Sequence, residues 1–184
     1  MQDKGIIFIS GCMYSGKSTF LVDTYVSLKT EYPTLKIEAF KPFKNKRGGE
    51  FIVSRARSVK IPCHMITNPQ DILEYDADIY LCDEYQVFEH DSLRYVLKQL
   101  KEKGKLVYIA GLDKKAVNEY WTNYKMVEGL ADRLIQLRTK CKLCSALAEV
   151  STLVKFGNNK SFSTTQGAEY ENLCDKHSQE RSII

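Results

Sequence analysis

The octapeptide Gly11-Cys12-Met13-Tyr14-Ser15-Gly16-Lys17-Ser18 constrains this chain more than any other segment. It fits G-x-x-x-x-G-K-[ST], and it stands where that motif has physical meaning. The apolar run Gly5-Ile6-Ile7-Phe8-Ile9-Ser10 before it reads as a strand. The segment after it reads as a helix, with Leu21, Tyr25 and Leu28 on one face and Val22 and Val26 beside them. Strand, glycine turn and helix are the parts of a phosphate-binding loop. Glycines let backbone N–H groups turn inward around phosphate oxygens, and the helix N-terminus adds partial positive charge. On this reading residues 11–18 cradle a nucleotide, Lys17 reaches the β- and γ-phosphates, and Ser18 holds Mg²⁺.

The first two-thirds of the chain continues that alternation. Residues 35–40 and 105–110 read as strands, and 78–83 as a buried strand. Asn68 caps a helix start with Pro69 in its first turn, and Asp91 caps a helix carrying Leu93, Val96, Leu97 and Leu100 on one face, closed by Gly104. Strands alternating with helices imply an α/β fold, a mainly parallel sheet with helices on both faces. Ligands then sit at the carboxyl ends of the strands. The last third differs, with short strand-like runs, paired cysteines and the polar loop Gly157-Asn158-Asn159-Lys160.

Bulk properties exclude several classes. A length of 184 residues suits one domain with a small appendage. No apolar stretch approaches a membrane span, and Met1-Gln2-Asp3-Lys4 leaves no room for a cleavable signal before the first strand. A cytoplasmic protein is expected. The net charge of +4 is below the footprint of a dedicated nucleic-acid binder. Without a secretory signal, the six cysteines do not suggest a disulfide framework.

The buried strand at 78–83 ends in Asp83-Glu84-Tyr85-Gln86. An apolar strand ending in Asp has the form of a Walker B site, whose carboxylate holds Mg²⁺ against the phosphates. Glu84 follows at the strand end. An ionised carboxylate there can take the proton of an attacking hydroxyl or water. Lys41-Pro42-Phe43-Lys44-Asn45-Lys46-Arg47 also follows a strand; composition alone reads it as a solvated basic loop. Cys141-x-x-Cys144 and Cys174-x-x-His177 supply three thiolates and an imidazole, the ligand set of a closed, structural zinc site. Such a site pins both ends of residues 145–173.

In this order the parts resemble the zinc-containing, phosphate-loop (type II) thymidine kinases, from about Gly5 to His177. The resemblance rests on Gly11 to Ser18 with Met13 inside the loop, Asp83-Glu84-x-Gln86, Gly111-Leu112-Asp113, the paired zinc ligands, the Lys41-Pro42 and Arg47 region, and Gly167-Ala168-Glu169-Tyr170. It implies a P-loop (RecA-like) parallel sheet over residues 1–138 and a small zinc-binding lasso domain over 139–184. It implies transfer of the ATP γ-phosphate to the 5′-hydroxyl of thymidine. Glu84 matches the general base, Asp83 the Mg²⁺-associated carboxylate, and Arg47 a basic residue facing the transferring phosphate. Met13, Leu112 and Tyr170 match positions lining the nucleoside pocket, beside Gln86 of the shared motif. The resemblance further implies a homotetramer and end-product inhibition by thymidine triphosphate, while charge and hydropathy lead us to expect no nucleic-acid or membrane partner. The chain departs from the family pattern at Asn45, Val87, Ala116, Trp121 and Gln166-Gly167. Each of these lies on the nucleoside side of the site. Two other readings compete: a small ATPase with a nucleic-acid-binding zinc module, and a nucleotide-binding family member without catalysis.

Overall fold

The computed structural model describes residues 4–54, 56–116, 118–155 and 168–181. Its centre is a six-stranded sheet. The strands are β1 (Gly5–Gly11), β2 (Ile37–Pro42), β5 (His64–Ile66), β6 (Ile79–Cys82), β7 (Leu106–Leu112) and β8 (Arg133–Leu137). Their order is β5-β2-β6-β7-β1-β8, and every pairing is parallel.

Strands of this sheet are apolar on both sides because both faces are covered. Ile6 and Phe8 of β1, Tyr80 and Cys82 of β6, and Val107 and Ile109 of β7 join one core. There they meet Leu93, Val96, Leu97 and Leu100 of α2 (His90–Glu102) and Tyr124 and Val127 of α3 (Thr122–Leu130). Ile9, Ile79, Leu81, Leu106 and Ala110 turn the other way. They pack under Leu21 and Val22 of α1 (Lys17–Glu31) and under Ile52 and Ile61 of a hairpin, β3 (Phe51–Ser54) with β4 (Val59–Pro62). The expected α/β architecture is therefore present. The α1 stripe is narrower than its sequence suggests: Tyr25 and Leu28 pack on the core, but Val26 lies at the margin and is 45% exposed.

Three local expectations change. Asn68 does cap Pro69, its Oδ1 accepting from Gln70 N at 3.1 Å, but the element is a 3-10 helix, Pro69–Glu74. The cap of α2 is Glu89, not Asp91. The longer Glu89 side chain folds back to accept from Asp91 N (3.0 Å) and Ser92 N (2.7 Å), leaving Asp91 inside the first turn. These N–H donors hold the Glu89 carboxyl below its usual range. The sequence reading also missed β5 and the β3–β4 hairpin, which are too short to carry a periodic pattern.

Past β8 the chain forms a separate two-stranded antiparallel sheet, β9 (Val150–Lys155) with β10 (Glu169–Leu173), followed by α4 (Asp175–Arg181). Gln166 and Gly167 lie outside the described residues. Among the described residues no helix is long and apolar enough to cross a membrane.

Candidate active site

Four adjacent strands, β2, β6, β7 and β1, end on the same edge of the sheet. Their carboxyl ends deliver Arg47, Asp83 with Glu84, Leu112 with Asp113, and the phosphate loop. The loop turns at Gly16, whose φ of 97° is left-handed and suits a residue without Cβ. Gly16 also caps α1. Gly16 offers no side-chain cap to the first N–H groups of α1, and the first turn has no acid, a setting that suits an anion.

Lys17 is buried and donates to Cys12 O at 2.6 Å. Burial pulls the Lys17 ammonium below its usual range, opposed by the charges of Glu84 and Asp83. Ser18 Oγ donates to Asp83 Oδ2 at 2.8 Å, and Asp83 Oδ1 accepts from Glu84 N at 3.0 Å. Burial, with Glu84 alongside, pushes the Asp83 carboxyl up. A hydroxyl and a buried carboxylate in contact are hard oxygen donors, the type that suits Mg²⁺.

Glu84 has a left-handed backbone, φ 58° and ψ 39°. Such a conformation costs on the order of 1–3 kcal/mol for a residue with a side chain, and persists only where the surroundings impose it. Here they do. Tyr85 is fully buried, its ring edge-on to Phe8 at 5.1 Å and its hydroxyl donating to Leu112 O at 2.8 Å. Asn123 Nδ2 donates to Tyr85 O (3.2 Å) and Phe88 O (2.9 Å). The turn thereby aims the Glu84 carboxylate. Its Oε2 accepts from Gln86 Nε2 at 2.5 Å, and its Oε1 lies 3.8 Å from Arg47 Nη2. Gln86 Oε1 accepts in turn from Leu112 N at 3.1 Å. Gly111 permits this bridge, since a Cβ there would lie 2.1 Å from Gln86 Oε1.

The basic loop is more than a solvated one. Arg47 is brought to Glu84, and two groups hold it. Asn45 Oδ1 accepts from Arg47 N at 3.2 Å. Lys41, 2% exposed, donates to Arg47 O (2.7 Å) and Phe51 O (3.1 Å). Lys41→Met keeps the length of the stem and removes both bonds. It is expected to release the Arg47 loop and cost about 1–3 kcal/mol of stability, the range for hydrogen bonds made by a charged donor. Urea denaturation checks the stability, and steady-state kinetics should show kcat falling with it.

On the other side of the loop, Met13 meets the β9–β10 sheet rather than the central one. Its N–H donates to Ser151 Oγ, and its carbonyl accepts from Asn172 Nδ2, both at 2.7 Å. Tyr170 lies two residues from Asn172 on β10, half-buried, and burial raises its hydroxyl above the usual range. Asp113 is fully buried and paired with Arg138 Nη1 at 2.7 Å. Sequence reasoning quoted Asp113 only as part of a motif and missed Arg138, Ser151 and Asn172. None of these three stands in a recognisable spacing.

Cys141, Cys144, Cys174 and His177 converge, with their donor atoms all within 4.8 Å of one another. Cys141 Sγ and Cys174 Sγ lie 3.4 and 3.3 Å from His177 Nδ1, and Cys144 Sγ lies 3.9 Å from Cys174 Sγ. Tetrahedral zinc with ordinary bond lengths requires edges of about 3.5–3.8 Å. The donor set fits zinc, and these three separations lie close to those edges.

The thymidine kinase family model matches residues 4–178. A thymidine kinase of Mesomycoplasma hyopneumoniae is 26% identical over 94% of this chain and 94% of its own length. One from Bacteroides thetaiotaomicron is 32% identical over 90% and 82%. One from Metamycoplasma arthritidis is 33% identical over 81% and 78%. With a family match that runs from before β1 into α4, past both the phosphate loop and the Cys-His cluster, the chain belongs to the thymidine kinase family.

Proposed function

We propose that the chain phosphorylates thymidine by direct in-line transfer from ATP, with Glu84 as general base. The observation that carries the assignment is the held Glu84 carboxylate. It is fixed by Gln86 and Arg47 one residue from the Asp83–Ser18 pair, beside the phosphate loop. The phosphate loop, Gly11 to Ser18, binds the ATP phosphates with its N–H groups, and Lys17 leaves Cys12 O to reach the β- and γ-phosphates. Ser18 and Asp83 hold Mg²⁺, which when bound draws charge from the phosphate oxygens. Glu84 takes the proton of the 5′-hydroxyl as its oxygen attacks the γ-phosphorus. Arg47, already facing that carboxylate, stabilises charge on the transferring group.

Met13, Leu112, Gln86 and Tyr170 form the acceptor side. Gln86 ties the base to the pocket wall, since it bonds both Glu84 and Leu112. Cys141, Cys144, Cys174 and His177 hold a structural zinc. The ending of the central sheet at β8 supports a nucleotide-binding domain over residues 1–138 and a zinc-binding domain over 139–184. The family resemblance supports a cytoplasmic homotetramer.

A nucleoside panel with MgATP tests the function. ADP release is expected to depend on thymidine. Release unchanged by every nucleoside, with ATP still bound, rejects the kinase reading in favour of a simple ATPase.

A further inference from the structure

The ring of hydrogen bonds around Met13 has a role that packing alone does not require. Ser151 Oγ accepts from Met13 N, Asn172 Nδ2 donates to Met13 O, and Ser151 Oγ donates to Asn172 Oδ1 at 2.8 Å. Both polar groups of the Met13 main chain are thus held by residues about 140–160 positions away. Ser151 and Asn172 are themselves register partners across β9 and β10. The next carbonyl back, Cys12 O, is the one that takes Lys17. The peptide units flanking Met13 are therefore oriented by the hairpin on one side and by the phosphate-binding lysine on the other.

The hairpin is in turn tied to the acceptor side. Side chains alternate along a strand, so Tyr170 and Asn172 share a face of β10. Glu171 between them turns away to Lys142 and Arg181. Lys142 N, inside the first cysteine pair, donates to Asn172 O at 2.9 Å, which anchors the same residue to the Cys-His cluster.

We infer that Ser151 and Asn172 are positioning residues that couple the two substrates. A nucleoside held against Tyr170 steadies β10. Through Asn172 and Ser151, β10 then steadies the Met13 peptide units of the loop that grips ATP. This rests on the acceptor placement proposed above. Coupling of this kind is reciprocal: whatever factor thymidine adds to ATP affinity, ATP adds to thymidine affinity.

The test measures the dissociation constant of a non-hydrolysable ATP analogue with Mg²⁺, alone and with saturating thymidine, and then the converse. Wild-type protein is expected to show mutual tightening on the order of tenfold. Ser151→Ala and Asn172→Ala should each reduce that ratio to below about two, while binding of each ligand alone persists. Ser151→Thr keeps the hydroxyl and should keep the coupling. Unchanged zinc content and an unchanged far-UV circular dichroism spectrum together establish that a variant is folded. If Ser151→Ala is not recovered folded, Asn172→Ala against Ser151→Thr makes the same comparison. A wild-type ratio of one, or an undiminished ratio in the alanine variants, overturns the inference. Tyr170→Ala separates this from failure of the site itself. Thymidine affinity unaffected by that change rejects the acceptor placement, whereas Tyr170-dependent binding with undiminished coupling rejects only the role of Ser151 and Asn172.

Discussion

Glu84→Gln is expected to lower the phosphoryl-transfer rate by about 10²–10⁴-fold, the range of a lost general base. That corresponds to about 3–5 kcal/mol of barrier. The change is close to isosteric, and the replacement amide can still accept from Gln86, so the turn at 83–87 should persist. Dissociation constants for ATP and thymidine should stay near wild type, because on the proposed mechanism Glu84 acts on a proton and grips neither ligand. Single-turnover quenched-flow with separate binding titrations resolves the two effects. A rate within a factor of ten of wild type would remove Glu84 as the base. A parallel loss of ATP affinity would instead mean that the variant disturbs the neighbouring Asp83–Ser18 pair.

The second large effect concerns the metal. Cys174→Ser removes one of four donors that span the distance from 141 to 177. Among the described residues the β9–β10 sheet and its approach bury few apolar side chains: Ala148, Val150, Leu153 and Leu173, with a Thr152–Ser178 hydrogen bond to α4. So small a cluster does not ordinarily hold a fold without a staple. Structural zinc contributes on the order of 10–16 kcal/mol of apparent binding energy in small metal modules. Its loss is therefore expected to unfold the hairpin while the central sheet, with cores of its own on both faces, stays folded. Turnover with thymidine should fall by at least about 100-fold, since Tyr170 and the Met13 contacts go with the hairpin, and ATP binding should survive in weakened form. Elemental analysis, far-UV circular dichroism and turnover together check this. Zinc retained at one per chain with normal turnover would show that these four residues are not its ligands. Full unfolding of the central sheet would show that the hairpin is more than an appendage.

How much of this was legible beforehand depended on whether a signal is local. The phosphate loop is eight contiguous residues whose chemistry follows from glycine geometry and one lysine, so it could be read directly. The strand before Asp83 is apolar on both faces, and that run placed Asp83 at the end of a buried strand, where the structure has it. The two pairs, Cys141 with Cys144 and Cys174 with His177, carry a metal-ligand spacing within four residues each, although only folding brings the pairs within reach of each other. The α2 stripe was equally plain, but its cap was not. Asp91 is the better capping residue by type, but the chain is extended at Glu89, just past the 3-10 turn Tyr85–Val87, and there Glu89 takes the role.

Contacts between distant segments left no such trace. Arg47 sits in a basic loop that composition reads as solvated. It faces Glu84 because β2 and β6 are neighbours in the sheet and because a buried Lys41 holds the loop inward. Asn45, a departure from the family acid, still supplies the oxygen that accepts from Arg47 N. Ser151 and Asn172 are ordinary polar residues in ordinary strands, and their meaning comes entirely from meeting Met13.

The sequence by itself determined the α/β class, the phosphate-loop motif and the Cys-His group that converges in the fold, because each is encoded in residues adjacent along the chain or repeated at a helix or strand period. Only the tertiary structure decided how the carboxylate of Glu84 is aimed, what holds Arg47, and which groups orient the phosphate loop from outside. Those depend on strand order and on the docking of a second sheet. Side chains far apart in sequence meet there through hydrogen bonds that no spacing rule encodes.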